Sequence, residues 1–291
     1  MVQHRAQRLI VRRYLNGLLA GALLMGGHGA AYRQVPTVQQ TPAAAFRMPA
    51  AQPKAAPRPV EPWVVGATPL PRRPDGYGVV RSTPPALVDR RLATVDLLPP
   101  PTTTAFASTI VPVPPEVLAR SSWTPACPVK PEQLRYLTIS FRGFDARAHT
   151  GEMLINAAVA QTVVDVFKKL FTAGFPIENM HISPGAELNL PPTGDRNNTE
   201  GFLCHPRRGQ TQWPAQALGL AIDVNPFHNP YVSGDLVVPE LASSYLSRDW
   251  VRSGMILDGG PVVRAFEAAG WKWGGRWPGP VYFSHFSSNG H

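Results

Sequence analysis

Cysteine is nearly absent, with two residues, Cys127 and Cys204, in a chain of 291. That number excludes a zinc ribbon and a scaffold built on disulfides. It leaves two readings, a single bridge in an exported protein or two buried thiols. No apolar run approaches the ~20 residues of a membrane-spanning helix. No repeat period is evident. A basic surplus is also missing where a nucleic-acid binder would need it. Residues 131–291 carry 13 Lys/Arg against 14 Asp/Glu, a net −1. The positive charge sits in residues 1–130, with 15 Lys/Arg against 5 Asp/Glu, a net +10. A nucleic-acid interface belongs on the folded part, so no nucleic-acid partner is expected.

Proline divides the chain in the same place. Of the 33 prolines, 20 precede residue 131. Residues 1–32 have the three-part layout of a secretory signal: Arg5, Arg8, Arg12 and Arg13, then "LNGLLAGALLMGG", then small residues with Gly29 and Ala31 before Tyr32. An uncleaved anchor is the alternative, with residues 15–31 held at the membrane. Arg12-Arg13 also suits a twin-arginine signal, and no cysteine follows the apolar run to carry a lipid. The expected location is therefore the cell envelope or outside. Residues 33–126, with "TPAAAFRMPAAQPKAAPRPVEP" and "LLPPPTTTAF", read as an extended, irregular spacer, because proline at this density blocks helices and central strands. Residues 84–98 are the one stretch there that suits a short helix.

From 127 to 291 the patterns are those of a packed domain. "LRYLTISFRGF" (134–144) reads as a strand. Val159, Val163, Val166, Phe167 and Leu170 then recur at helical spacing, ended by Gly174 and Pro176. "PIENMHIS" reads as a short strand, 184–201 as a loop, and "LGLAIDVN" as a strand. "GGPVVRAFEAAGW" is a helix with Val262, Val263, Phe266 and Ala269 on one face, and "VYFSHFS" closes the chain as a strand. The fold class is α+β, a small antiparallel sheet flanked by helices.

Several strings, in order, carry a resemblance: "CPVKPEQLRYLTISFRGFDARAHTGEMLIN", "FPIENM", "NNTEGFLCHP", "LGLAIDVNPFHNPYVSG", "GWKWGGRW" and "SHF". Together they resemble the bacterial zinc D-alanyl-D-alanine carboxypeptidases and L-alanyl-D-glutamate endopeptidases (VanY-like), which have the Hedgehog/DD-peptidase fold. The resemblance implies zinc as cofactor and peptidoglycan stem peptides as substrates.

It also implies a site, and here the chain departs from the pattern. The family places a His seven residues before an Asp, in Ser-x-His-x-x-Gly-x-Ala-x-Asp. Gly219, Ala221 and Asp223 match, but Gln216 stands at the His position and Pro214 at the Ser. The second metal His is His285, before Phe286, while the acid three residues earlier is replaced by Tyr282. The arginine beside the substrate is replaced by His205, and an Asp of Gly-Gly-Asp-Trp by Arg276. A hydrolytic zinc site takes three His, Asp or Glu ligands and an open water position, plus a proton acceptor for the bound water. An amide is a poor zinc donor, and a phenol with a reference pKa of ~10 is a weak base. The expectation is therefore weak or absent zinc and impaired catalysis. Two alternatives remain, an active peptidase with a rearranged ligand set and a non-catalytic structural protein of the envelope.

Other readings stand beside these. Asp223 could cap the turn at Asn225-Pro226, and His285 could be a core histidine. His205 and His228 read as exposed loop residues, with substitution for the missing ligand as the sharper alternative. His149 reads as structural or cleft-lining. Trp271, Trp273 and Trp277 are expected to pack the core.

Overall fold

The computed structural model describes residues 63–206 and 211–290. The signal or anchor segment and the first part of the expected spacer lie outside the described residues. The chain divides into two units, residues 1–57 and 58–291.

The centre of the second unit is a three-stranded antiparallel sheet in the order β1-β2-β3. The strands are β1 (Ser108–Pro112), β2 (Leu134–Arg142) and β3 (Ala148–Asn156). A short helix, α1 (Pro115–Ala119), lies between β1 and β2 in the chain. Sequence reasoning found β2 and missed β3. "AHTGEMLIN" shows no clean alternation, because most of its side chains are buried on both faces. Register places Leu137 opposite Met153 and Ile139 opposite Gly151. Gly151 has no freedom to be larger, since a Cβ there would lie 2.6 Å from Met180.

Helix α2 (Ala160–Thr172) covers one face of this sheet. It enters through a tight turn in which the Asn156 side chain accepts from the Ala158 N–H. Val163, Val166, Phe167 and Leu170 sink into the core with Leu137, Ile139 and Phe141 of β2. Gly174, at φ 65°, ends the helix in the left-handed conformation. Helix α3 (Pro261–Glu267) adds Val262, Val263 and Phe266 to the same core. The Phe266 ring stacks on Phe286 at 4.0 Å between centroids. Each such aromatic or branched side chain, buried fully, contributes roughly 1.5–3 kcal/mol.

Two smaller antiparallel sheets complete the unit. One joins β4 (Ala221–Asp223), β9 (His285–Ser287) and β7 (Lys272–Trp273) in that order. The other joins β6 (Leu236–Val238), β5 (Tyr231–Ser233) and β8 (Val281–Tyr282). The α+β class stands, with three small sheets rather than one. "VYFSHFS" is broken into β8 and β9, because residues 281–282 pair with β5 and residues 285–287 with β4 and β7. "PIENMHIS" forms no strand and makes only isolated bridges, at Pro176 and Asn179.

The described part of the expected spacer, residues 63–126, is not solvated chain. Leu70 and Leu87 are buried in a second apolar cluster with Phe227, Val237, Leu241 and Tyr245. Arg90 is fully buried and makes two bonds to Glu178, at 2.7 and 2.6 Å, and one to the Asp195 carbonyl at 2.7 Å. Its guanidinium also lies 4.5 Å over the Phe227 ring. Regular structure enters this span as β1 and α1, contrary to the expected irregular spacer, while the proline-rich stretch before them stays irregular: 84–98 contains only a single short turn, Pro85–Leu87. Density of proline says nothing about burial, however, and residues 63–107 dock through side chains and single backbone bonds, such as Leu70 N–H to the Pro192 carbonyl at 2.7 Å.

A third apolar cluster contains Val117, Leu134, Leu154, Phe202 and Cys204. Cys204 is disulfide-bonded to Cys127, with their Cα atoms 5.9 Å apart. Of the two readings open for the cysteines, the structure has the bridge. Among the described residues no helix is long and apolar enough to cross a membrane.

Candidate functional site

The site is built where β4 meets β9. Antiparallel register sets Asp223 directly opposite His285, and their side chains meet, His285 Nδ1 lying 3.0 Å from Asp223 Oδ1. Both residues are buried. Gln216 reaches the same carboxylate from a tight turn, Ala215–Leu218. Gly219 reverses the chain after that turn at φ 65°. A Cβ on Gly219 would lie 2.6 Å from the Asn156 nitrogen. The turn and the short strand after it therefore fix the seven-residue spacing between Gln216 and Asp223 in space.

Asp223 is surrounded by donors. The Gln216 amide donates to Oδ2. The Tyr282 hydroxyl donates to the same oxygen at 2.7 Å. With His285 on Oδ1, a single carboxylate takes three side-chain donors. Burial pushes the Tyr282 phenol well above its usual value, and the Asp223 charge adds to the effect. Tyr282 thus stays protonated and acts as a donor, the opposite of a base. Its ring stacks on His285 at 4.9 Å, and the Trp277 ring lies 5.3 Å from that of His285.

Sequence reasoning missed Glu200. It lies beside Asp223, joined by reciprocal backbone bonds of 3.1 and 2.9 Å. Loss of water pushes its carboxyl up to about 7, against the pull of the Ser183 hydroxyl, and the Asp223 charge raises it further. Ser183 donates to Glu200 at 2.5 Å. The only signal in the sequence was an acid inside "NNTEGF".

The other candidates lie apart. The His205 ring bonds to the Pro206 carbonyl at 2.6 Å. His228, expected on an exposed loop, is fully buried. Its Nδ1 accepts from Asn197 at 3.1 Å and its Nε2 donates to the Arg90 carbonyl at 3.0 Å. It stacks on Phe144 at 4.9 Å. Burial holds His228 down at about 3, so it is a neutral structural residue. The signal that misled was the loop chemistry of "NPFHNP", which does form a turn, but one tucked beneath the segment around Arg90. His149 is buried between Asp96, at 2.8 Å, and Asp145, at 3.1 Å. Arg276 pairs with Asp258 and Glu267. Trp271 and Trp273 are in the core, while Trp277 is only partly buried.

Chemically, the set offers one carboxylate and one imidazole where a hydrolytic zinc centre takes three such ligands. Three of the roughly four lone-pair sites of the carboxylate are engaged, and Gln216 turns its N–H₂ toward Asp223. Among the described residues no three His, Cys, Asp or Glu side chains are placed to share an ion. As a donor set for that metal they are one ligand short, since Gln216 offers only a neutral amide.

Comparison with known proteins bears on this stretch. Residues 208–288 match the family model described as D-alanyl-D-alanine carboxypeptidase. No curated protein and no solved structure matches the chain. The matched span contains Gln216, Asp223, Tyr282 and His285, and it supports a peptidase-family reading of the part of the chain that forms this site.

Proposed function

We propose that residues 127–291 form an exported carboxypeptidase-like domain of the Hedgehog/DD-peptidase fold. In this reading it receives peptidoglycan stem peptides and hydrolyses them little or not at all. The observation that carries it is the Asp223 carboxylate held by three side-chain donors. Where a hydrolase would present lone pairs to a metal, Asp223 accepts from Gln216, Tyr282 and His285.

The residues that remain can bind but are poorly set for proton transfer. Tyr282 keeps its proton at neutral pH and has its hydroxyl committed. Glu200 titrates near neutrality, but its carboxyl is bound by Ser183. No arginine stands at the position of His205 to orient a substrate carboxylate. Export rests on the signal-like first 32 residues, and the basic residues before 131 suit contact with anionic envelope polymers.

Three measurements test this reading: zinc content by equilibrium dialysis, turnover of a pentapeptide ending in D-Ala-D-Ala, and sedimentation with purified peptidoglycan. The expected result is weak zinc binding, negligible turnover and retention by peptidoglycan. Robust zinc-dependent turnover by the wild type would overturn it in favour of an active peptidase. Absence of retention would leave only a structural role.

A further inference from the structure

The chain between Asp96 and Ala107 is pinned at both ends and free in the middle. At one end the Asp96 carboxylate meets the buried His149 ring at 2.8 Å. At the other, Phe106 packs edge-on against Phe171, 5.6 Å between centroids. Ala107 then exchanges bonds with Ser140, donating to the hydroxyl at 3.1 Å and accepting from the N–H at 2.9 Å. Residues 97–105 between these anchors form only bends and irregular chain. Among the described residues they take part in no hydrogen bond, through backbone or side chain. At the centre stand Thr102, Thr103 and Thr104, all three exposed.

A long loop without structure of its own is uncommon in a compact unit unless it has a use. Three uses suit an exposed, proline-rich stretch. As a ligand for an aromatic groove it would engage Leu97 and the prolines, and three successive hydroxyls would have no role. As a phosphate acceptor it would need a cation to pair the new charge, and no charged residue occurs from Leu97 to Pro115. As a sugar acceptor it uses what is there. The hydroxyls are exposed, and no internal bond has to be broken to present them. Pro99, Pro100 and Pro101 favour an extended chain, which enters an enzyme cleft at little ordering cost. Threonine runs beside proline are also the composition of O-glycosylated stalks.

We propose that Thr102, Thr103 and Thr104 are sites of O-glycosylation, modified outside the cytoplasm from an activated glycosyl phosphate donor. The inference rests on the export reading above. In each transfer the threonine Oγ1 forms a bond to the anomeric carbon of the sugar. The bond from that carbon to the donor's phosphate oxygen breaks, and the phosphate leaves with the electron pair. The hydroxyl proton passes to a base on the transferase. The attached sugars shield the one part of this segment that no hydrogen bond protects, where Leu97 is 61% exposed. Open chain of this kind is where proteases cut.

The experiment is intact-mass spectrometry of the full chain, recovered from the cells that naturally make it after separation of cytoplasm from envelope. The comparison is a variant carrying Thr102→Val, Thr103→Val and Thr104→Val, produced in the same cells. The envelope form of the wild type should be heavier than the variant by whole sugar residues, beyond the substitutions themselves. Peptide mapping should place the excess within 97–107. An added protease should cut the variant faster in that span, with circular dichroism unchanged. An envelope form of the wild type without the excess would overturn the proposal and leave export standing. Sugars found only on other residues would also overturn it, as would an excess that is a phosphate. Equal cleavage of wild type and variant would overturn the shielding role. A chain found only in the cytoplasm, without sugar, would overturn export and this proposal together.

Discussion

The amide of Gln216 donates to the carboxylate of Asp223, and it does so from the position where a zinc-binding relative would hold an imidazole. Replacing Gln216→His should therefore tighten zinc binding by at least about tenfold in equilibrium dialysis, because Gly219 already sets the turn that brings this position to Asp223. Turnover of a pentapeptide should stay low in that variant. It should rise only when Tyr282→Glu is added, since the single substitution supplies no proton acceptor. Equal turnover by the single and double variants would show that Tyr282 does not occupy the base position.

Arg90 and Glu178 should behave as a buried ion pair that tolerates no half-removal. Both side chains are withdrawn from water. Arg90→Ala would leave a carboxylate buried without its partner, at a cost of about 3–5 kcal/mol. Urea unfolding should show the midpoint falling accordingly. A loss under about 1 kcal/mol would mean that residues 63–106 are held only at the surface.

Acid should weaken the fold through His228. Its ring is held at about 3 in the fold against an ordinary 6.5. The unfolded chain binds the extra proton, so this residue's share of stability is present above 6.5 and is lost as pH falls toward 3. The slope is about 1.4 kcal/mol per pH unit. Glu200 opposes it between 4.5 and about 7, where the folded state binds the additional proton. The wild type alone should thus look nearly flat in that range from these two groups. The difference in urea midpoint between wild type and His228→Gln isolates the histidine, and should shrink steadily from about pH 6.5 to about pH 4. A difference independent of pH would show that His228 is not buried neutral.

The Cys127–Cys204 bridge closes a loop with a sequence separation of 77. In the chain-entropy account a loop of that length contributes about 4.5 kcal/mol. Cys127→Ser with Cys204→Ser should lower the thermal midpoint by roughly 5–15 °C. The same drop should follow reduction of the wild type, and the double variant should be insensitive to reductant. An unchanged midpoint on reduction would contradict the pairing.

Much of the fold was legible where burial is one-sided. Helix α2 announced itself because Val163, Val166, Phe167 and Leu170 form a stripe, and β2 because its residues are strand formers. Strand β3 was not legible, as its partners bury both faces and erase the alternation. The packing of residues 63–107 was invisible for a different reason. It depends on single long-range contacts, Arg90 with Glu178 and Leu70 with Pro192, and such contacts leave no local period. In the site, the approach of Asp223, His285, Gln216 and Tyr282 was readable from spacing against a family pattern. Glu200 was not, because it reaches Asp223 through a backbone bridge between a loop and a strand, and nothing in "NNTEGF" marks a bridge.

Strand β1 has a consequence for where this protein can be cut. It occupies the side of β2 that would otherwise lie open, residue for residue from Ser108–Ile139 to Pro112–Arg135. A fragment starting at Cys127 would leave Leu137, Ile139 and Phe141 on a strand with a bare row of N–H and C=O groups, a template for pairing with another copy. In the intact chain the outermost strand is instead β1, and it closes in "PVPP", Pro112 to Pro115. Three of those four residues have no N–H to offer an incoming strand. The segment that looks like a leader to the domain thus also covers one edge of its central sheet, and a fragment that keeps that edge covered begins well before Cys127.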